Sequence, residues 1–255
     1  MAEHFLVTGG SGDIGAAIVK RLCEQGYEVT LTYNRSSEAA SELKEKVLHQ
    51  GRHLSIWQCD LADEESVESL CAHAESMRFN GFVHCASLFR PNVIRQIDVE
   101  LSRRVMEISY WSFISIVKSL LPSMRVRRKG RIIALGSIAA NYLTEGVCVY
   151  ASVKSALESL CSGIAVENGA KGVTVNCVSP GYVDTQMLEG YSIGELAKLV
   201  PNRRLATPEE VAAAVAFLIS DESGYINGST LTIDGGLTKT GAPLTRRQML
   251  GDADA

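Results

Sequence analysis

The sequence has 255 residues, of which 46% are hydrophobic and 21% charged, and its net charge is −4. This composition is typical of a globular protein, and the acidic balance argues against general binding to nucleic acid or to an anionic membrane. The seven cysteines are scattered without a C-x-x-C pair or a Cys/His metal spacing, which predicts reduced thiols and no metal site.

Short apolar runs alternate with longer amphipathic segments along the chain. The segments between the runs predict helices at about 13–25, 36–49, 63–77, 99–127, 149–168 and 208–220. The apolar runs predict seven strands, at residues 4–8, 28–33, 53–59, 81–85, 131–136, 173–178 and 231–233. Such alternation predicts a single-domain α/β fold, a Rossmann-type doubly wound sheet of seven parallel strands with helices on both faces. We expect the domain to span residues 1–240, with a loosely held tail at 241–255.

The first strand begins almost at the N-terminus, which leaves no room for a signal peptide. No stretch approaches 18 uninterrupted apolar residues, the length that a membrane-spanning helix requires. These two features predict a cytoplasmic protein with no membrane partner.

The stretch TGGSGDIG at residues 8–15 follows the first strand, and the first helix begins inside it. Residues 10–15 match G-x-G-x-x-G, in which glycines allow a tight turn and the close approach of a pyrophosphate to the helix N-terminus. The position between a strand and a helix favours nucleotide binding over a plain glycine turn.

The second strand runs into TYNRSSE at residues 32–38. The strand end lacks the carboxylate with which NAD-binding sites hydrogen-bond the ribose 2′-hydroxyl. Arg35 and Ser36 can instead hold a 2′-phosphate through a charge-assisted contact and a hydroxyl. We therefore predict NADP(H) as the cofactor, the alternative being that Arg35 is a solvated loop charge.

A later helix begins with VYASVKSALESL at residues 149–160, in which Tyr150 and Lys154 lie one turn apart on the same face. A tyrosine ionises near a pKa of ~10, and an ammonium nearby favours the phenolate, so the pair is suited to proton transfer. Tyr-x-x-x-Lys also occurs by chance in many helices, so the rest of the chain must decide between the two interpretations.

The chain carries further motifs in a fixed order from residue 4 to residue 236. They are Thr8-Gly9 with Gly15, Asp60-Leu61, HCAS at 84–87, Gly136-Ser137, Tyr150-x-x-x-Lys154, SPGYVDT at 179–185 and YINGSTLTIDGG at 225–236. Together they resemble the classical short-chain dehydrogenase/reductase family, and most closely its 3-oxoacyl-(acyl-carrier-protein) reductase branch. The resemblance implies an NADP-dependent oxidoreductase.

The resemblance also implies roles for individual residues. Tyr150 would donate a proton to a carbonyl oxygen, Ser137 would hydrogen-bond that oxygen, and Lys154 would bind the nicotinamide ribose while lowering the tyrosine pKa. For Asp60 and Thr185 the alternative is a turn or a cap. The implied cofactor contacts are Gly9, Ser11, Gly12, Asp13, Ile14, Gly15, Arg35, Ser36, Asp60, Leu61, Cys85, Ala86, Ser87, Tyr150, Lys154, Pro180, Gly181, Val183 and Thr185.

The chain departs from the family pattern in three places. Asp13 occupies the second glycine position of T-G-x-x-x-G-x-G, where its side chain would lie near the pyrophosphate or cap the helix. HCAS replaces Asn-Asn-Ala-Gly, and we interpret His84 as a packed strand residue. Ser109 replaces a helix asparagine that supports a water relay to the lysine; we count Ser109 as a fourth catalytic residue, with a weaker or rearranged relay.

The segments after Ser137 and Thr185 are expected to form the substrate wall, with a substrate loop at about 182–205. The expected contacts, which could equally be core or lid-packing residues, are Tyr142, Tyr182, Met187 and Leu188. LAKLVPNRRLATPEEVAAAVAFL at 196–218 resembles the carrier-protein reductases closely. It favours reduction of a 3-oxoacyl thioester, carrier-bound, to the 3-hydroxyacyl product in fatty-acid, polyketide or polyene synthesis.

Two alternatives to this function stay open. One is a reductase of a free small ketone, or a dehydrogenase of a secondary alcohol. The other is a catalytically weak NADP-binding scaffold, which the departures at Asp13 and Ser109 make conceivable.

Positive charge is concentrated in MRVRRKGR at residues 124–131. The five cations are Arg125, Arg127, Arg128, Lys129 and Arg131. The cluster is either a solvated helix end, favoured by the helix dipole, or a docking surface for an acidic acyl carrier protein, joined by Arg203 and Arg204 if the fold brings them nearby. Family resemblance and the apolar faces of helices 99–127 and 149–168 further predict a homotetramer, or else a dimer.

Overall fold

The computed structural model describes residues 2–240, and the predicted tail at 241–255 lies outside the described residues. The strands are His4–Thr8 (β1), Glu28–Tyr33 (β2), Leu54–Gln58 (β3), Gly81–His84 (β4), Gly130–Leu135 (β5), Val173–Pro180 (β6) and Thr230–Ile233 (β7). They form one sheet in the order β3-β2-β1-β4-β5-β6-β7, and every neighbouring pair is parallel. The predicted fold class is confirmed.

Helices cover both faces of the sheet. They are Asp13–Glu24 (α1), Ser37–His49 (α2), Glu64–Ser76 (α3), Val99–Met106 (α4), Ser112–Arg127 (α5), Cys148–Asn168 (α6), Ile193–Leu199 (α7) and Pro208–Ile219 (α8). Buried residues of α1, α2 and α8 form the core on one face, and those of α3, α5 and α6 form the core on the other. Within residues 2–240, no helix has the length and apolar character needed to cross a bilayer.

The alternation of side chains along β1 shows how one strand serves both cores. Phe5 and Val7 are buried in the core formed with α1, α2 and α8, whereas Leu6 is buried in the core formed with α3, α5 and α6. Successive strand residues point to opposite faces, so a strand covered on both sides is predominantly apolar on both. This requirement explains the predominantly apolar runs in the sequence.

The structure differs from the predicted elements in two places. The helix predicted at 99–127 is divided by a π-helical turn at Glu107–Trp111, because an extra residue in that turn shifts the hydrogen-bond pattern between α4 and α5. The sequence analysis also missed α7, a short helix within the substrate loop that packs through the fully buried Leu196. The remaining helix and strand predictions agree with the structure to within two residues at each end.

The sheet topology determines where a ligand can bind. The strand order reverses between β1 and β4, so the loops that follow these two strands run to opposite sides and leave a crevice at the carboxyl edge of the sheet. The carboxyl edge is defined here as the side where the parallel strands end, and the amino edge as the side where they begin.

Candidate active site

A cleft of about 1140 Å³ opens at the carboxyl edge. Its lining includes every predicted cofactor contact, from the glycine-rich turn to Thr185, together with Ser137. The predicted catalytic residue Ser109 is not part of the lining and is fully buried behind it. A cleft of this size exceeds the range of ~300–1,000 Å³ that is typical of small-ligand pockets, so it offers room for a dinucleotide and a second ligand.

The glycine-rich turn between β1 and α1 has the geometry that a pyrophosphate requires. Gly9 has a φ of +66°, and a Cβ on Gly15 would lie 2.1 Å from the Gly9 carbonyl oxygen, so both positions need glycine. The N–H groups of Asp13 and Ile14, at the start of α1, have no backbone acceptor within residues 2–240. These donors and the helix dipole suit an anionic group, so the turn fits a dinucleotide pyrophosphate.

The end of β2 forms the part of the cleft where the adenosine ribose is expected. Arg35 and Ser36 both line the cleft, and Ser36 is the N-cap residue of α2. No carboxylate among the described residues pairs with the Arg35 guanidinium. An exposed guanidinium beside a helix N-terminus suits a 2′-phosphate better than a 2′-hydroxyl.

Asp60 lies at the same end of the cleft and is held by two partners. Its Oδ1 accepts a hydrogen bond from Ala62 N at 3.0 Å, and its Oδ2 accepts one from Arg104 Nη2 at 2.8 Å. Burial alone would raise the pKa of Asp60, but the Ala62 N–H and the Arg104 guanidinium together hold this pKa below its ordinary value. Asp60 therefore both shapes a turn and lines the cleft, which combines the two interpretations of the sequence.

Tyr150 and Lys154 stand on α6 against the middle of the cleft. Lys154 is buried, and its Nζ donates to the Leu135 carbonyl at 2.7 Å and lies 5.5 Å from the centroid of the Tyr150 ring. The ring of Phe89 packs edge-on against the Tyr150 ring at 5.0 Å. An ammonium has three N–H bonds, so Lys154 keeps donors beyond the one that Leu135 accepts.

Ser137 follows β5 and faces the same part of the cleft. Its Oγ accepts a hydrogen bond from Ala139 N at 3.2 Å, which fixes the side chain at the start of a 3-10 turn. A hydroxyl that accepts in this way retains its own hydrogen for donation. The structure thus brings together Ser137, Tyr150 and Lys154 from two different elements.

Ser109 lies in the π-helical turn behind the cleft. Its Oγ is 3.3 Å from the Oγ of Ser87, and Ser87 lines the cleft. The hydroxyl pair therefore links the buried turn to the cleft wall. The water relay assigned to Ser109 remains a prediction.

His84, at the end of β4, is a buried residue of the core. Its Nδ1 is 2.8 Å from Thr8 Oγ1, and its ring contacts those of Phe82 and Phe113. Burial, reinforced by the positive charge of Lys154, lowers the pKa of His84 to about 3. The imidazole is therefore neutral at physiological pH, as expected for a packed strand residue.

The Asp13 side chain lines the cleft and does not cap its own helix, which decides between the two interpretations of the sequence. The N-cap residue of α1 is Gly12, and the Asp13 carboxylate accepts from the backbone N–H of Gln186 at 2.8 Å. The carboxylate is directed across the cleft because the loop after Thr185 presents a donor there.

The expected substrate contacts Tyr142, Tyr182, Met187 and Leu188 all line the cleft. Tyr142 and Tyr182 also pack in a small core with Val200. Burial, together with the neighbouring Tyr142 and Tyr191, raises the pKa of Tyr182 to about 12. These residues therefore combine wall and packing roles.

The structure contradicts the composite docking surface predicted from the cationic cluster at 124–131 and Arg203–Arg204. The cluster lies at the amino edge, where β5 begins. Arg204 lies toward the carboxyl edge, because the nearby Ala206 pairs with Val183, which follows the end of β6. The eight residues of β6 alone span ~26 Å between the two edges. Arg204 is also paired with Glu210 at 2.6 Å, which lowers the pKa of Glu210 to about 2.

Two residues that support the site gave no signal in the sequence. Arg104 reaches Asp60 from α4, as described above. Glu158, one turn beyond Lys154, accepts from Ser179 Oγ at 2.9 Å and from Asn141 Nδ2 at 3.1 Å, and so ties α6 to the end of β6 and to the turn after Ser137. Among residues 2–240, no group of three or more His, Cys, Asp or Glu side chains is arranged to hold a metal ion.

Comparison with known proteins gives consistent matches along nearly the whole chain. A family model described as enoyl-(acyl carrier protein) reductase matches residues 10–238. The 3-oxoacyl-[acyl-carrier-protein] reductase of Aggregatibacter actinomycetemcomitans is 31% identical over 241 residues, which cover 93% of this chain and 100% of that protein. The acetoacetyl-CoA reductase of Allochromatium vinosum is 32% identical over 243 residues, which cover 93% and 99% respectively.

A solved structure shows the same similarity in three dimensions. The crystal structure of a blue fluorescent protein from a metagenomic library, in complex with NADPH, has a TM-score of 0.87 and 31% identity. The match covers 92% of this chain and 97% of that one.

Proposed function

Since the chain belongs to the short-chain dehydrogenase/reductase family and is an NADP-dependent oxidoreductase, we propose that it reduces 3-oxoacyl thioesters to 3-hydroxyacyl thioesters. The observation that carries this proposal is the grouping of Ser137, Tyr150 and Lys154 on one wall of the cleft that contains the glycine-rich turn. Similarity to the family supports ketone reduction, and the two named relatives support the thioester.

The proposed reaction adds a hydride and a proton across the C=O bond of the substrate. NADPH, when bound, supplies the hydride. Tyr150 gives its hydroxyl proton to the carbonyl oxygen, and Ser137 donates a hydrogen bond to the same oxygen as negative charge develops there. The Lys154 ammonium, 5.5 Å from the Tyr150 ring, stabilises the phenolate that remains.

The assignment of NADPH as the cofactor is supported by hydrogen-bond donors at both ends of the binding site. The first N–H groups of α1 suit the pyrophosphate, and Arg35 with Ser36 suits a 2′-phosphate. Lys154 has further N–H donors for the nicotinamide ribose, since the Leu135 carbonyl accepts one of them. The cleft thus provides donors for the pyrophosphate, the 2′-phosphate and the nicotinamide ribose of NADPH.

The substrate assignment goes further than the cofactor assignment. One relative is named for a carrier-bound 3-oxoacyl substrate and the other for a coenzyme A thioester, so the shared chemistry is a 3-oxoacyl thioester. We propose a carrier-protein-bound chain as the physiological form, in fatty-acid, polyketide or polyene synthesis. The partly apolar wall that includes Met187 and Leu188 suits an acyl chain.

A substrate panel tests this assignment. NADPH and NADH oxidation are measured with a 3-oxoacyl carrier thioester, a 3-oxoacyl N-acetylcysteamine thioester, a 2-enoyl thioester and a simple ketone. The proposal expects NADPH-dependent turnover of both 3-oxoacyl thioesters, with the highest kcat/KM for the carrier-bound one. Preference for the simple ketone would favour the free-ketone alternative, and preference for the enoyl thioester would make the enzyme a C=C reductase.

We also propose that the protein is a homotetramer, or else a dimer. Val126 on α5 and Val166 on α6 are 85% and 86% exposed in the single chain, and Trp111 beside α5 is 51% exposed. Burial of such side chains against a second copy would remove apolar surface from water. Light scattering at micromolar concentration tests this, and a monomeric mass would contradict it.

A further inference from the structure

One hydrogen bond joins the two walls of the cleft at the residue where the glycine of the family pattern is replaced. Asp13 is the first residue of α1, and its Oδ2 accepts from the backbone N–H of Gln186 at 2.8 Å. The two residues are 173 positions apart, and both line the cleft. Gln186 begins the 3-10 turn after Thr185, so the bond ties the substrate loop to the glycine-rich turn.

A carboxylate at a helix N-terminus is also favoured by the helix dipole, which offers a simpler explanation for Asp13. However, the N-cap residue of α1 is Gly12, and the Asp13 carboxylate makes no hydrogen bond to an N–H group of α1 within residues 2–240. The carboxylate is instead bonded to Gln186, and the first N–H groups of α1 are left for an anionic ligand. The direction of the side chain is therefore explained by the loop and not by the helix.

We propose that Asp13 is a positioning residue that holds the substrate loop against the glycine-rich turn. The far part of the loop is already anchored, because Leu196 of α7 and Leu205 are buried together. In the near part, Leu188 packs against the same cluster, whereas Gln186 and Met187, which precede it in the 3-10 turn, are exposed. The Asp13 carboxylate adds a polar attachment at Gln186, and this hydrogen bond, which we call the clasp, joins the near part of the substrate wall to the glycine-rich turn.

The clasp is expected to affect substrate binding through conformational entropy. A loop that must be ordered when substrate binds costs conformational entropy, and a loop that is already held costs less. Loss of the clasp therefore weakens substrate binding. The proton-transfer residues stand on α6 and after β5, outside the clasped segment, so kcat is preserved once substrate is bound.

Amide hydrogen exchange in the cofactor-free protein tests the clasp without any reaction. Asp13→Ala removes the acceptor, Asp13→Asn keeps an acceptor oxygen without the charge, and Glu24→Ala removes an exposed carboxylate at the other end of α1 as the matched control. Exchange at the Gln186 amide is expected to rise about threefold to tenfold in the Ala variant, the effect of one lost hydrogen bond, and less in the Asn variant. Unchanged exchange in Asp13→Ala would overturn the proposal.

Steady-state kinetics tests the positioning role, and this arm rests on the proposed function. KM for the 3-oxoacyl thioester is expected to rise about threefold to tenfold in Asp13→Ala with kcat retained, and Asp13→Asn is expected to restore most of the affinity. Faster exchange with an unchanged KM, or identical behaviour of the Ala and Asn variants, would overturn the positioning role. If no thioester is reduced by the unmodified enzyme, the proposed function fails, and exchange at Gln186 still decides whether the clasp exists.

Discussion

The cationic cluster at the amino edge and the cofactor-binding donors at the carboxyl edge differ in whether the protein itself supplies their partners. At the amino edge, all five cations of the 124–131 cluster are bonded to protein acceptors. Their partners are Asn168 for Arg125, the Phe79 carbonyl for Arg127, the Ala170 carbonyl for Arg128, Glu3 and Asp221 for Lys129, and Asp221 for Arg131. At the carboxyl edge, the Arg35 guanidinium and the first N–H groups of α1 have no such partners among the described residues.

This difference teaches that the density of charge is a poor guide to a binding site. The amino edge has more cations within a shorter stretch of sequence, but its cations hold together the ends of β1, α5, α6 and α8. At the carboxyl edge, the charged groups are spread over distant parts of the sequence and line a cleft. A ligand site is distinguished by the donors that the fold leaves unused.

The largest expected effect lies at the carboxyl edge. Tyr150→Phe removes the proton donor while keeping the ring that packs on Phe89, so turnover is expected to fall by ~10²–10⁴-fold with NADPH affinity nearly unchanged. Tyr225→Phe alters an exposed tyrosine at the amino edge and is expected to leave turnover as it is. Stopped-flow measurement of NADPH oxidation distinguishes them. Substantial turnover in Tyr150→Phe would place the proton donor elsewhere.

Arg35→Ala tests whether a donor left unused by the fold serves the cofactor. Loss of one charge-assisted hydrogen bond is worth ~1.5–3 kcal/mol, so NADPH is expected to bind roughly tenfold to a hundredfold more weakly, with NADH little changed. Arg125→Ala removes a bonded cation of the amino edge and is expected to change neither affinity. Titration by cofactor fluorescence gives both constants. An equal loss for the two cofactors would refute the 2′-phosphate assignment.

Reversing two charges at the amino edge tests whether the bonded cations there stabilise the fold and do not bind a partner. In Arg128→Glu combined with Lys129→Glu, a new carboxylate faces Glu3 and Asp221, and the unfolding free energy is expected to fall by about 1–2 kcal/mol. KM for carrier-bound substrate and for a small thioester is expected to stay unchanged.

The matched control for this double variant is Lys20→Glu with Lys44→Glu. It makes the same change in net charge, and neither lysine pairs with a carboxylate among the described residues. Thermal unfolding and steady-state kinetics are measured for both. A rise in KM confined to carrier-bound substrate would make the amino edge a docking surface after all.

The smallest effect concerns Arg204, a cation of the carboxyl edge that is bonded within the protein. Arg204 and the Thr207 N–H hold the pKa of Glu210 at about 2, below its ordinary value, so the stability from this carboxylate is present above about pH 4.5 and is lost as pH falls toward 2. The Tm of Glu210→Gln should lie at most a few degrees below that of the unmodified protein at neutral pH, and the gap should close on acidification. Glu209→Gln serves as the control, and a gap that persists at pH 2.5 would contradict the pairing.

The elements of the sheet could be predicted because their signals are local. Apolar runs such as residues 4–8 must be buried on both faces, and Thr207-Pro208 with Glu210 forms the capping box that begins α8. Each motif of the cleft, such as the glycine-rich turn or Tyr150-x-x-x-Lys154, is likewise a short stretch of sequence, and their order along the chain indicated the site. These inferences need no knowledge of distant parts of the chain.

The remaining features depend on contacts between distant residues. Nothing in the sequence near Asp13 indicates that its acceptor oxygen meets Gln186, and nothing near Asp60 points to Arg104. Arg128 and Arg204 lie far apart because β5 and β6 are parallel, so the start of one strand and the end of the other lie at opposite edges of the sheet. The positions of charged residues in the sequence do not show this. No repeating sequence pattern indicates the π-helical turn at 107–111, because the turn interrupts the α-helical repeat between α4 and α5.

The strand order also bears on how the chain acquires its structure during synthesis. β1 is made first and lies inside the sheet, and each later strand pairs with one already present: β2 and β3 extend one side, and β4 to β7 extend the other. Each newly made strand therefore has a neighbouring strand to pair with when it leaves the ribosome, since N-terminal regions fold first during synthesis. The glycine-rich turn and Arg35 belong to the part of the chain that is made first. Ser137, Tyr150 and Lys154 are made later, with β5 and α6. The growing chain can thus assemble a nucleotide-binding half before the groups that transfer the proton exist.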